Sequence, residues 1–169
     1  MSSDVHLTPT SFIVLGFIEA AGDATPYDLK QGLEQSAGNF WSIPHSQLYS
    51  ESERLADAGH LSERRESSGR RRRVYSMTAK GRRALNKWRD EPTGALPELR
   101  DVSLLKLFLG GDPAALATPQ LDAHRRKLEA YRALASADEG AGPRGPWQAL
   151  EAGIAHEREW IRFWSKLAA

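Results

Sequence analysis

The chain has 169 residues, no cysteine, and 23 Lys plus Arg against 22 Asp plus Glu, a formal net charge of +1. The lack of cysteine excludes a disulfide scaffold, a thiolate zinc site and a cysteine nucleophile together, and 40% apolar with 27% charged residues excludes a disordered or fibrous chain. The sequence opens without a basic n-region and apolar h-region, and no stretch approaches the roughly 20 apolar residues of a membrane span. A soluble cytoplasmic protein with no membrane partner is expected.

Three Thr-Pro pairs, Thr8-Pro9, Thr25-Pro26 and Thr118-Pro119, stand before apolar-periodic stretches. Thr caps free N–H groups and Pro at the first helical position gives up no hydrogen bond, so each pair predicts a helix start. The first helix, Pro9 to about Ala21, is apolar almost all round and must be covered on most sides by other elements or another subunit. The second, Pro26 to about Ser36, is short and amphipathic through Tyr27, Leu29 and Leu33, with Asp28 completing a capping box. A loop with Trp41 and Pro44 leads to a third helix from about His45 to Ala58, with Leu48 and Leu55 a heptad apart and Gly59 as its cap.

Two short strands, Leu61 to Glu66 and Arg72 to Met77, follow, joined through Ser67-Ser68-Gly69-Arg70. Thr78 opens a fourth helix to about Asp90. Two prolines and a glycine between Glu91 and Pro97 break it and mark a linker. Beyond lie an apolar segment, Val102 to Leu109, a helix from Pro119 to about Ala137 with Leu121, Leu128 and Tyr131 on one stripe, and a loop at Gly140 to Pro146. The last helix, Trp147 to about Leu167, carries two apolar seams, one with Leu150, Ile154, Ile161 and Trp164. Two seams are more than one neighbour can cover, which predicts a homodimer through those four residues. The fold class is mainly α with a small β-hairpin: an N-terminal winged helix-turn-helix domain at 1–90, a linker at 91–97 and a C-terminal helical dimerisation domain at 98–169.

The near-zero net charge conceals an uneven distribution. Residues 1–59 hold two basic and eight acidic groups, residues 60–90 eleven and three, and residues 91–169 ten and eleven. A polyanion feels the local field, and the basic block coincides with the hairpin and the helix after it. Arg dominates that block, and guanidinium suits bidentate contact to phosphate. A basic hairpin directly after a helix with a polar outer face is the layout of a winged helix, in which the helix reads the major groove and the hairpin lies along the backbone. Ser46, Gln47 and Ser50 in the N-terminal half of the third helix are placed to approach base edges, whereas Glu53 and Asp57 lie in the half that phosphate would repel. A winged helix that binds protein, with hairpin arginines that merely solvate the surface, is the alternative reading.

Signals of other chemistry fail on context. Gly140 to Gly145 matches G-x-G-x-x-G formally, but no strand precedes it and Pro143 interrupts it. His156-Glu157 begins like a zinc-binding H-E-x-x-H helix, yet Trp160 occupies the second ligand position, and no pair of histidines sits at metal-ligand spacing. Neither an enzyme, a metal site nor a cofactor is expected. Trp41, Trp160 and Trp164 could wall a pocket for a planar aromatic effector, with core packing as the alternative; a metabolite-binding protein with a vestigial DNA head is a further reading.

The motifs in order resemble one family. Thr25-Pro26-Tyr27-Asp28-Leu29 resembles the H-G-Y-E-L that opens the second helix of PadR-type transcriptional regulators. Gln47-Leu48-Tyr49, with Arg54-Leu55 and Ala58-Gly59, is similar to their recognition helix, although Ser50 stands where that helix has proline and Glu51 and Glu53 add acid. Ser68-Gly69-Arg70 to Tyr75, then Thr78-Ala79-Lys80-Gly81 and Trp88, resembles their wing and closing helix. Arg100-Asp101 with Leu104 to Phe108 is similar to the start of the longer C-terminal domain of one branch. The resemblance implies a homodimeric winged-helix repressor on a palindromic operator in double-stranded DNA, relieved by a phenolic or planar aromatic effector. Tyr49 matches a tyrosine placed at the DNA backbone, and Arg70, Arg71, Arg72 and Arg73 match the basic wing. With Ser46, Gln47, Ser50 and Arg54 these make up the expected DNA-binding set.

Overall fold

The computed structural model describes residues 5–66, 72–138 and 144–168. The chain divides into two compact units, 1–95 and 96–169.

In the first unit α1 (Pro9–Ala21), β1 (Asp23–Ala24), α2 (Pro26–Glu34), a 3-10 turn (Ala37–Asn39), α3 (His45–Asp57), β2 (Leu61–Arg65), β3 (Arg73–Met77) and α4 (Ala79–Asp90) follow in order. Both Thr-Pro pairs act as expected. Thr8 and Ser11 close a reciprocal capping box on α1, Thr25 and Asp28 one on α2, and Pro9 and Pro26 occupy the first turns. Gly22 ends α1 at φ 84° and Gly59 follows α3 at φ 75°, left-handed values that a side chain would strain. α2 is a residue or two shorter than the sequence suggests, because Ser36 and its neighbours tighten into the 3-10 turn.

Val14, Leu15 and Ile18 of α1 are fully buried, covered by α2, α3, α4 and β3 of the same unit. Leu29, Leu33, Leu48, Leu55, Leu61, Tyr75 and Leu85 complete this core. Phe12, on the flank of α1, stacks on Trp88 of α4 with centroids 4.5 Å apart and planes 7° from parallel. The apolar girth of α1 is therefore satisfied within its own unit. The sheet is three-stranded in the order β1-β3-β2, all antiparallel. β1 is an element the sequence does not signal: two residues carry no periodicity, and it exists because Asp23 and Ala24 pair with Ser76 and Tyr75 some fifty positions away.

The second unit holds α5 (Val102–Phe108), α6 (Pro113–Asp138) and α7 (Arg144–Leu167). α6 and α7 form an antiparallel pair: Ala117 packs with Trp164, His124 meets Glu157, and the Tyr131 ring lies where a side chain on Gly153 would have to go. Two expected boundaries are corrected. α6 starts at Pro113, with Asp112 accepting from the Ala114 amide at 3.0 Å, so Pro119 lies inside the helix and Thr118 is no cap. The missing Pro119 N–H forfeits one ladder bond, and the helix nonetheless runs on through it, with Ala117 and Leu121 on either side packed against Trp164. α7 starts at Arg144, so Gly145 and Pro146 belong to its first turn and not to a loop; residues 140–143 of that loop, and with them the first four positions of the G-x-G-x-x-G stretch, lie outside the described residues. Leu121, Leu128 and Tyr131 are buried as the stripe requires.

The seam assigned to dimerisation is turned inward. Trp164 is 0% exposed and packs on Ala117 and Leu121 of its own chain, with Ile161 against the same cluster, while Leu150 and Ile154 are half-buried. One wide helix, α6, covers what a sequence wheel assigns to a partner. Within this unit apolar side chains remain exposed at Val102, Leu105, Phe108 and Leu109 of α5 and its end, at Leu96 and Leu99 before it, and at Leu134 of α6 and Phe163 of α7. No helix among the described residues is long and apolar enough to cross a membrane.

Candidate nucleic-acid interface

α3 buries Leu48, Ser52 and Leu55 and presents Ser46, Gln47, Tyr49, Ser50 and Glu53 to solvent. This division follows from the heptad spacing of the leucines, so the outward set is the one the wheel gives. No side chain caps the N-terminus of α3, since its N-cap residue is Pro44, and the first-turn amides keep their affinity for an anion. Ser50 donates back to the carbonyls of Ser46 at 3.1 Å and Gln47 at 3.3 Å. Its oxygen is thereby offered outward as an acceptor, while Ser46 and Gln47 supply donors and acceptors one turn earlier. His45, at the same end, bonds Glu34 of α2 at 3.1 Å.

The hairpin stands directly beside this helix. β2 and β3 pair in register with Glu63 opposite Tyr75 and Arg65 opposite Arg73. Residues two apart share a sheet face, so Glu63, Arg65, Arg73 and Tyr75 lie together. Two like charges across a strand pair repel, and here Glu63 stands between them: it accepts from Arg65 Nε at 3.3 Å and from the Tyr75 hydroxyl at 3.4 Å, and forms an ion pair with Arg73 Nε across 3.6 Å. Arg73 also pairs with Glu53 of α3, which joins wing and helix into one surface. Burial above all pushes the Tyr75 phenol up. Arg72 bonds Glu66 at 3.0 Å and Arg64 reaches Asp23 of β1 at 3.6 Å on the opposite face. Behind the wing, Glu19 of α1 holds Arg82 at 3.2 Å and Arg89 at 2.7 Å. Arg70 and Arg71 lie outside the described residues.

Arg54 departs from its expected place among the outward residues. Its Nε and Nη2 grip Glu51 at 2.9 and 2.6 Å, Nη2 also donates to Ser11 of α1 at 3.1 Å, and Nη1 donates to the His6 carbonyl at 3.1 Å. Ser11, fully buried, donates to Glu51 at 2.5 Å. Burial pushes the Glu51 carboxyl up, but the hydrogen bonds from Arg54 and Ser11 outweigh it and hold it below the usual carboxylate value. Arg54 thus clamps α3 to α1. The acid that Glu51 adds to this helix is turned inward and neutralised. The i, i+3 spacing of Glu51 and Arg54 was the available signal; the Ser11 contact was not, because it spans forty positions.

The three tryptophans are placed differently. Trp41 lies in the first unit and lines a cleft of about 240 Å³ with Lys30, Leu33, Glu34, Ile43 and His45. Trp160 and Trp164 lie together in the second, with ring centroids 6.4 Å apart. Trp164 is core, whereas Trp160 is half-buried, stacks on His124 at 5.8 Å and donates from Nε1 to His156 Nε2 at 2.8 Å. Beneath them Glu157, 1% exposed, meets His124 Nδ1 at 2.5 Å and Lys127 at 3.6 Å.

Comparison with known proteins places this geometry. Residues 14–87 match the PadR-like family of transcriptional regulators, and residues 99–169 match a family described as the C-terminal part of virulence activator alpha. The negative transcriptional regulator PadR of Bacillus subtilis is 30% identical over 102 residues, a match that spans 57% of this chain and about half, 54%, of that relative. Among solved structures, B. subtilis PadR in complex with operator DNA superposes with a TM-score of 0.82 at 21% identity, covering 94% of this chain and 96% of that one. The same protein in complex with p-coumaric acid gives 0.76 at 20% identity, covering 97% of each. At such identities the structures attest the shared winged-helix fold with C-terminal helices. Over residues 14–87 the chain is thus similar to the PadR-like family of transcriptional regulators, and its fold is the winged helix with C-terminal helices seen in B. subtilis PadR.

Proposed function

We propose that this protein is a homodimeric, ligand-responsive repressor that binds a palindromic operator in double-stranded DNA. The observation that carries this reading is the continuity of α3 with the arginine-bearing hairpin through Glu53 and Arg73. α3 enters the major groove by its N-terminal half, where Ser46, Gln47 and Ser50 meet base edges and Tyr49, 46% exposed, lies against the backbone. The wing, from Arg70 to Arg73, takes the flanking phosphates. Two copies joined through their C-terminal units set the separation of the two recognition helices, and the exposed apolar face of α5 is the surface this assembly buries.

That the B. subtilis relative is a negative transcriptional regulator favours repression, and its complex with p-coumaric acid favours a planar aromatic acid as the effector. Trp160, half-buried and already stacked, is the tryptophan placed to report such a ligand. The match of residues 99–169 to a virulence activator favours a second reading, in which the bound protein activates transcription. Selecting bound fragments from genomic DNA with the purified protein, then footprinting them, tests the core of the proposal. Protection of two half-sites about one helical turn apart is expected. No enriched fragment would reject DNA binding in favour of a protein-interaction winged helix. A reporter placed behind the selected fragment separates repression from activation.

A further inference from the structure

Each of the four described arginines of the hairpin already has a carboxylate partner: Arg64 with Asp23, Arg65 with Glu63, Arg72 with Glu66, and Arg73 with both Glu53 and Glu63. We propose that Glu53 and Glu63 are specificity-determining residues that hold the wing arginines against sequence-independent DNA binding. The inference rests on the DNA-binding reading above.

The argument is one of competition. Arg73 spans two carboxylates, with Nη1 on Glu53 and Nε on Glu63, and Arg65 meets Glu63 through Nε. Phosphate contacts through those nitrogens compete with an intramolecular partner, and the carboxylates offset the charge that draws the rest of each guanidinium to phosphate. The competitor is local, held in register by the β2–β3 ladder and by α3, and present at a high effective concentration that DNA does not match at random sequence. Glu63 is the more enclosed and more shared of the two: its side chain is only 26% exposed and lies against Arg65, Arg73 and the Tyr75 hydroxyl, whereas Glu53 makes the closer contact to Arg73.

Glu53 has a different position. It projects from α3, the element that reads bases, and its carboxylate is a suitable acceptor for the exocyclic amino group of cytosine. At a site where α3 seats fully, Glu53 exchanges Arg73 for a base donor and Arg73 passes to the backbone. At a random site no such exchange compensates the carboxylate, and Arg73 stays paired. The same two acids therefore lower all backbone binding and lower it most where the sequence is wrong.

The test measures binding of the full-length protein to a mixed-sequence duplex and to its best genomic fragment, by fluorescence anisotropy over a salt series. Variants are Glu53→Gln, Glu63→Gln, the pair together, Arg73→Ala, and Asp57→Asn as a control for charge alone on the same helix. Each Glu→Gln change is expected to tighten mixed-sequence binding by about 1.5- to 5-fold, the range that exposed pairs withhold, and to steepen the salt slope by about 0.9 for each phosphate newly neutralised. Glu53→Gln tightens the genomic fragment less than the mixed sequence, so the ratio of the two affinities falls, while Asp57→Asn leaves that ratio unchanged. If Arg73→Ala weakens binding but both Glu→Gln variants leave mixed-sequence affinity and slope as they were, or if Asp57→Asn matches them, the competition is refuted and the wing stands. If Arg73→Ala itself changes neither affinity nor slope, the DNA-binding reading of the wing fails instead. Circular dichroism melts matching the parent protein confirm that the isosteric changes leave the fold intact.

Discussion

Replacing Arg54 by Ala separates two roles for one residue. The side chain is 34% exposed and its partner Glu51 12% exposed, with the fully buried Ser11 between them. Removing one member of a buried ion pair costs about 3–5 kcal/mol, and an exposed pair contributes about 0–1 kcal/mol. A pair of intermediate burial that also loses the bonds to Ser11 and to the His6 carbonyl lies between, at about 2 kcal/mol. For a unit of this size that is a fall in melting temperature of about 8–16 °C. The assay is a thermal melt of the full chain followed by near-ultraviolet circular dichroism, paired with DNA binding well below the melt. Arg54→Ala is expected to melt early yet keep the salt slope of the parent, because the guanidinium braces α3 on α1 and donates to the protein. A destabilisation under about 0.5 kcal/mol together with a slope shallower by about 0.9 would refute this and make Arg54 a phosphate contact.

Further outcomes follow from the same contacts. Hydrogen bonds from the side chain and then the backbone of Thr25 hold the Asp28 carboxyl below its usual value, and Glu51 is also held low. Stability from both is fully present above the ordinary carboxylate value of about 4 and is lost as pH falls through their depressed values. Glu51→Gln should therefore be less stable at neutral pH and show a shallower acid limb in pH-dependent denaturation; an acid limb parallel to the parent's would contradict the assignment. A Cβ on Gly81 would overlap the His60 carbonyl oxygen and come within 2.8 Å of Met77 Sδ, so Gly81→Ala should cost about 1–3 kcal/mol by urea melt, and a neutral result would mean that the α4 start is not so tightly packed. Glu157→Ala strands His124 and Lys127 beside a buried site and should cost the C-terminal unit about 3 kcal/mol in the same assay, with no change in DNA salt slope.

The sequence announces most clearly what is local. Thr8-Pro9 and Thr25-Pro26 set helix starts because cap and proline act on their own first turn, and the spacing of Leu48 and Leu55 fixes the outward side of α3. Thr118-Pro119 shows the limit of that signal: Asp112-Pro113 carries the same one six residues earlier, and the choice between them is made by Ala117 packing on Trp164, a contact that spans more than forty positions. β1 and the inward turn of Arg54 have the same cause, partners far along the chain. For the candidate interface, the arginine run of the wing is visible in the sequence, but the carboxylates that hold it are drawn from β1, α3 and β2 and only the fold brings them together. The apolar seam of α7 was legible as a surface that must be covered; which helix covers it was not, since α6 and a partner subunit would leave the same periodicity.

The salt dependence of binding to double-stranded DNA tests the central claim most directly. With the parent protein, the logarithm of the affinity should fall linearly with the logarithm of salt concentration, and Arg72→Ala with Arg73→Ala should weaken binding and lower the slope by about 0.9 for each phosphate lost. Unchanged affinity and slope in that double variant, folded as the parent is, would contradict a wing that lies on the DNA backbone.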